Sequence, residues 1–204
     1  MDVWYVSYGS NLCEDRFMCY INGDRPLGSD QRETGCHDKT PPKASRKAAI
    51  PYPLYFAKEQ SKWGIGGVAF IGHDQNVYET TIGRMFLITD EQFSEVVSQE
   101  NNKRKLRINF SSVIARGYQQ ITDGWYGRII YLGDKEGYPM FTFTSNAPMD
   151  KYLYNKPSSA YLSTIANGLL ELGLGHSEII DYFYGKRGIK GHFSREKLFN
   201  YTFG

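Results

Sequence analysis

Val3-Trp4-Tyr5-Val6-Ser7-Tyr8-Gly9-Ser10-Asn11-Leu12 is the stretch on which the reading of this chain turns. Val3 to Val6 are β-branched and aromatic, the composition of a strand, and the run stops abruptly at Gly9-Ser10-Asn11. Glycine turns the chain without a Cβ clash, and Ser10 and Asn11 add short polar side chains. The segment can therefore form a small concavity lined by backbone N–H groups, suited to a carboxylate or carbonyl oxygen. An ordinary strand-ending turn uses the same residue types, and local chemistry alone favours the turn.

Outward from this stretch, 204 residues suit one domain with a real core. The composition, 41% hydrophobic and 23% charged, is that of an ordinary water-soluble chain. The 16 tyrosines and 12 phenylalanines point instead to strands and a flat-walled pocket. A net charge of +2 does not argue for nucleic acid, although Lys39, Lys43, Arg46 and Lys47 make one stretch locally basic. No apolar run approaches the roughly 18 residues of a membrane helix. Met1 to Trp4 do not combine a basic n-region with an apolar h-region, so the expectation is a cytoplasmic protein without a membrane partner. Cys13, Cys19 and Cys36 are odd in number and lack CxxC spacing, which fits reduced thiols. His37, His73, His176 and His192 show no metal-binding spacing, and no metal is expected.

Along the chain, Glu14 to Met18 reads as a short helix whose first turn covers the Tyr8–Leu12 segment. Residues 22–47 are rich in Gly, Pro and charge and read as a surface excursion. Strands follow at 51–57, 65–71 and 81–88, the last two read as a hairpin around Gly72, Asp74, Gln75 and Asn76. Gly64, Gly66 and Gly67 do not open a helix, so a nucleotide fingerprint is rejected in favour of a close backbone approach in a curved sheet.

Thr89 to Glu100 is the most informative helix. Thr89 and Gln92 have capping-box spacing, and Asn101-Asn102 can end the helix in a left-handed turn. Phe93, Val96, Val97 and Glu100 fall at i, i+3, i+4 and i+7, which puts the carboxylate on the core-facing stripe. A glutamate at the inward end of such a stripe is paired with a buried cation, held for chemistry, or released to water where the helix frays. Lys103 to Gly124 reads as basic, then polar, with a short strand at 106–110. Strands at 125–132 and 138–145 flank Gly133 to Gly137. Ser158 caps a helix that runs to about Leu172 and stops at Gly173, and a second helix covers 177–184. The basic, then aromatic tail at 185–204 leaves docking, phosphate gripping and homodimerisation open.

Four separated segments, in order, resemble the γ-glutamylcyclotransferase family. They are the opening strand with Tyr8-Gly9-Ser10-Asn11-Leu12, the Gly66-Gly67-Val68-Ala69 strand followed by Gly83 and Met85 to Leu87, the helix ending in Gln99-Glu100, and Pro157 to Tyr161 with Gly168, Glu171, Gly173 and Leu174 behind. The resemblance covers about half the chain. It implies a single α+β domain with a mixed, partly closed β-barrel flanked by helices, carrying insertions near 22–47 and 101–124. The reaction implied is cyclisation of a small γ-glutamyl amide to 5-oxoproline, without a cofactor. Glu100 takes the position of the general base, and Tyr8, Gly9, Ser10, Asn11 and Leu12 that of the substrate loop. Tyr161 matches a tyrosine at the pocket edge, and Tyr126 lies near a substrate-contacting tyrosine; spacing alone makes both plain core aromatics. Tyr-Gly-Ser-Asn in place of the Tyr-Gly-Ser-Leu of the related glutathione-degrading branch disfavours glutathione. The rival expectation is a non-catalytic protein of the same fold that binds a small anion. A nucleic-acid adaptor is the weakest of the three.

Overall fold

Strand β1 (Asp2–Ser7) is apolar almost throughout because it runs through the middle of a sheet and is covered on both faces. The structure, a computed structural model, describes residues 1–26, 32–102 and 105–204. Residues 27–31 and 103–104, which fall in the two expected insertions, lie outside the described residues.

After β1 come a 3₁₀ turn at Ser10–Leu12, α1 (Glu14–Asn22), β2 (Ala44–Ile50), β3 (Leu54–Ala57), β4 (Gln60–Ser61), β5 (Gly64–Ile65), β6 (Val68–Ile71) and β7 (Thr81–Thr89). The second half of the chain supplies α2 (Asp90–Glu100), α3 (Phe110–Arg116), β8 (Tyr118–Gln120), β9 (Arg128–Lys135), β10 (Tyr138–Thr144), α4 (Ser159–Glu171), α5 (His176–Tyr184) and α6 (Arg195–Phe203). No helix among the described residues is long and apolar enough to cross a membrane.

The chain divides into two compact units. The first comprises Met1–Ser7, Glu14–Ala48 and Arg84–Asn146. Its sheet has the order β2-β7-β1-β10-β9-β8, with β1 antiparallel to β7 and parallel to β10. The class is therefore α+β with a mixed sheet. The expected partial barrel is not carried by this sheet, because its outer strands β2 and β8 are not paired with each other.

The first unit's core is aromatic. Tyr5 stacks on Phe143 at 5.2 Å and meets Phe17 from α1 at 5.6 Å and Phe93 from α2 at 5.7 Å. Such pairs add about 0.5–1.5 kcal/mol each beyond area burial. Strands β9 and β10 form a hairpin through Glu136 (φ 53°) and Gly137 (φ 82°), the two left-handed residues of a tight turn that suits sheet twist.

Three expectations change here. The segment 72–80 does not close a hairpin: β6 pairs with β3, and β7 pairs with β1 and β2. Asn76 N–H donates instead to Pro51 O at 2.7 Å, and Gly72 N–H to Pro53 O at 2.9 Å. Residues 106–110 are not a strand. Asn109 caps α3 by accepting from Ser112 N–H at 3.0 Å, and Phe110 and Val113 join the core. The described part of 32–43 is also more than a loose excursion. Cys36 N–H donates to Ile21 O at 2.9 Å and Lys43 N–H to Leu87 O at 2.8 Å, and the Cys36 thiol is buried, which pushes it up to about 12.

The second unit comprises Tyr8–Cys13, Ala49–Gly83 and Ala147–Gly204. Strands β3 and β6 form an entirely buried antiparallel pair. The close approach expected at Gly66 and Gly67 is real, but its partner is the segment leading into α4. A Cβ on Gly67 would lie 2.3 Å from Asn155 O and one on Gly66 2.6 Å from Ser158 N. The tail docks within this unit: Arg187 makes a forked pair with Glu79, Arg187 O accepts from Phe56 N–H at 2.9 Å, and Lys186 Nζ donates to Thr80 O at 3.0 Å.

Candidate active site

The Tyr8–Leu12 segment is a tight turn, held from below. Leu12 N–H donates to Gly9 O at 3.0 Å and Cys13 N–H to Ser10 O at 3.1 Å, closing the 3₁₀ turn. The Leu12 N–H is thus spent inside the turn. Tyr8, Ser10, Asn11 and Leu12 are all buried.

Two residues of α4 meet this turn. Ser158 caps the helix by accepting from Tyr161 N–H, which directs the Tyr161 side chain toward the start of the helix. Its hydroxyl oxygen lies 3.0 Å from where a Cβ on Gly9 would stand, and it accepts from Ala69 N–H at 3.1 Å. One turn beyond Ile165, a Cβ on Gly168 would lie 2.3 Å from the Leu12 carbonyl carbon and 2.4 Å from Cys13 N. The Tyr161 ring rests against Trp63 at 5.1 Å. The structure therefore joins the loop residues to Tyr161 through Gly9, Ala69 and Gly168. Tyr161→Phe is expected to cost about 0.5–1.5 kcal/mol by removing the hydroxyl that accepts from Ala69 N–H, read as a lowered thermal unfolding midpoint.

Glu100 and Tyr126 are the site residues of the other unit. The capping box is complete: Gln92 N–H donates to Thr89 Oγ1 at 3.1 Å, and Thr89 N–H to Gln92 Oε1 at 3.0 Å. With the helix phase set, Phe93, Val96 and Val97 are fully buried and Glu100 ends the stripe half-buried. Asn102 takes the left-handed conformation expected after the helix, at φ 52°. Asn101 closes onto the later chain. Its amide donates to Val97 O at 2.9 Å and Tyr126 O at 3.1 Å, and accepts from Tyr126 N–H at 3.1 Å. Tyr126 thus lies beside the residue that follows Glu100, with its ring edge-on to Phe143 at 5.7 Å.

Sequence reasoning missed the polar cluster beside Glu100. Arg16, almost wholly buried, donates through Nη2 to the Tyr20 hydroxyl at 3.0 Å and to Glu33 Oε1 at 2.5 Å. The Tyr20 phenol is hydrogen-bonded to Glu100. Burial, and then the Glu100 charge, push that phenol well above its ordinary value, so it remains a donor. Burial acts to lower the Arg16 guanidinium, but its neighbours, Glu100 and Glu33 among them, hold it above its ordinary value. The available signal was an arginine and a tyrosine at i and i+4 on the apolar side of a short helix. Among the described residues, no three His, Cys, Asp or Glu side chains gather as a metal-ligand group.

No family model matches the chain. A curated relative from Arabidopsis thaliana, "Histone deacetylase 5", is 35% identical over 192 residues, 85% of this chain and 29% of that protein. The chain thus spans less than a third of that relative's length. Among solved structures, a "Gamma-glutamyl cyclotransferase" superposes with a TM-score of 0.52 at 17% identity over 100% of both chains. An uncharacterized protein from Homo sapiens superposes with a TM-score of 0.53 at 18% identity over 98% of both.

Proposed function

From its γ-glutamylcyclotransferase-like fold, we propose that the chain cyclises a small γ-glutamyl amide to 5-oxoproline and releases the amine or amino acid. The observation that carries the reading is Glu100, half-buried at the end of α2's apolar stripe and hydrogen-bonded to Tyr20. The substrate's α-amine attacks its own γ-carbonyl, so nucleophile and electrophile share one molecule. Well-oriented intramolecular reactions of this kind gain about 7–11 kcal/mol from geometry. Glu100 takes the proton of the attacking ammonium and returns it to the departing nitrogen. The N–H groups of Gly9, Ser10 and Asn11 bind substrate oxygen and steady the tetrahedral oxyanion. Leu12 supports the turn from within, and Tyr8, Tyr126 and Tyr161 wall the substrate. No step calls on a cofactor.

The deacetylase name belongs to a protein more than three times as long as its matched part, and none of that chemistry is assigned to this chain. The test is a panel of γ-glutamyl amino acids and γ-glutamyl amines, with 5-oxoproline read by mass spectrometry. Release from at least one compound, lost in Glu100→Gln, supports the reading. Absence of release from every compound, or release undiminished in the variant, overturns it.

A further inference from the structure

Tyr20 touches the end of α2 twice in succession. Its carbonyl oxygen accepts from Gln99 Nε2 at 3.1 Å, and its phenol is hydrogen-bonded to the next residue, Glu100. The phenol also meets a cation: Arg16 Nη2 donates to its oxygen at 3.0 Å, and the guanidinium carbon lies 4.4 Å from the ring centroid. Arg16 is anchored by Glu33 at 2.5 Å, and Gln99 Oε1 accepts from Gly35 N–H at 2.9 Å. α1, the 33–35 segment and α2 therefore meet at a chain of polar contacts, Glu33 to Arg16 to Tyr20 to Glu100, buried at Arg16 and Tyr20.

We propose that Tyr20 is a positioning residue for Glu100, with its hydroxyl polarised by Arg16 and directed at one carboxylate oxygen. The proposal rests on Glu100 being the base of the reaction above. Because its oxygen accepts from Arg16, the phenol is a stronger donor than a free tyrosine. A donor held on one carboxylate oxygen orients the group and fixes which oxygen stays open to the substrate ammonium. Arg16 and Tyr20 from α1, and Glu33 beyond Arg16, bring charge and titratable groups to Glu100. Glu33 has opposite sign to Arg16 and limits how much positive field reaches the site.

The experiment compares wild type with Tyr20→Phe, which removes one oxygen and keeps the ring. Tyr20→Phe, Glu100→Gln and the double variant are assayed with the best γ-glutamyl substrate, and thermal unfolding is followed beside turnover. In Tyr20→Phe, kcat falls about 10- to 10²-fold while KM holds, because the carboxylate loses the donor that orients it. Arg16→Lys, which keeps the cation, lowers kcat by less. In the double variant the loss is no larger than in Glu100→Gln alone, and the shift in unfolding midpoint differs from the sum of the two single shifts, as expected of side chains in contact. A parental kcat in folded Tyr20→Phe, or additive unfolding shifts, overturns the positioning role. If Glu100→Gln is inactive in that case, the base assignment stands and only Tyr20 is removed from it. Non-additive unfolding shifts in a protein that turns over no γ-glutamyl compound support the Tyr20 to Glu100 link and overturn the reaction instead.

Discussion

Glu100→Gln is expected to lower 5-oxoproline release by about 10²- to 10⁴-fold, the range supplied by a positioned acid or base. Glutamine has nearly the volume of glutamate, and its amide oxygen can still accept from the Tyr20 phenol. It cannot take up a proton from the ammonium. The loss should therefore appear in kcat, with KM little changed, because binding is assigned to the Tyr8–Leu12 turn rather than to the carboxylate. Folding should survive, since Arg16 keeps its 2.5 Å contact with Glu33 when the Glu100 charge is gone. Steady-state assays beside thermal unfolding separate the two effects. A parental kcat in the folded variant removes Glu100 from the chemistry.

Gly168→Ala makes the second large prediction, and its sign runs against helix propensity. Alanine in a helix interior is worth about 1 kcal/mol over glycine, so a helix considered alone would be stabilised. Here the added Cβ would stand 2.3 Å from the Leu12 carbonyl carbon and 2.4 Å from Cys13 N, and backbone atoms cannot swing aside as a flexible side chain can. α4 and the turn must separate. The expected net loss is about 1–3 kcal/mol, typical of overpacking. For a chain of this length that lowers the unfolding midpoint by roughly 2–4 °C per kcal/mol. Because the displaced atoms belong to the substrate turn, KM should rise as well. Gly185→Ala is the matched control, since nothing lies within 4 Å of the Cβ it would add. A Gly168→Ala protein more stable than wild type would show that the close approach is absent in solution.

Much of the chain was legible because it depends on neighbours in sequence. The Thr89 and Gln92 pair marks the start of α2, Ser158 and Gly173 bracket α4, and the abrupt end of the Val3 to Val6 run places the turn at Ser10–Leu12. Each depends on a backbone preference or a hydrogen bond spanning three or four residues. The strand expected at 106–110 is absent although a cap was in view: Asn109, three residues before Ser112, is a helix start. The 72–80 segment was misread for another reason. Two adjacent strands imply a hairpin only if they pair with each other, and β6 and β7 each find another partner.

Local sequence alone determined where helices begin and end, which helix face is apolar, that Glu100 closes that face, and that the opening strand stops at Gly9-Ser10-Asn11. Tertiary structure alone decided the partners: Glu33 for Arg16, Tyr20 for Glu100, Tyr126 for Asn101, Tyr161 for Gly9, and a glycine rather than an alanine where α4 meets Leu12. The physical reason is range. Propensity and capping act over a single helical turn, whereas these buried polar groups and close approaches join residues distant in the chain. Their identity is settled only when the core closes and each buried donor must find an acceptor.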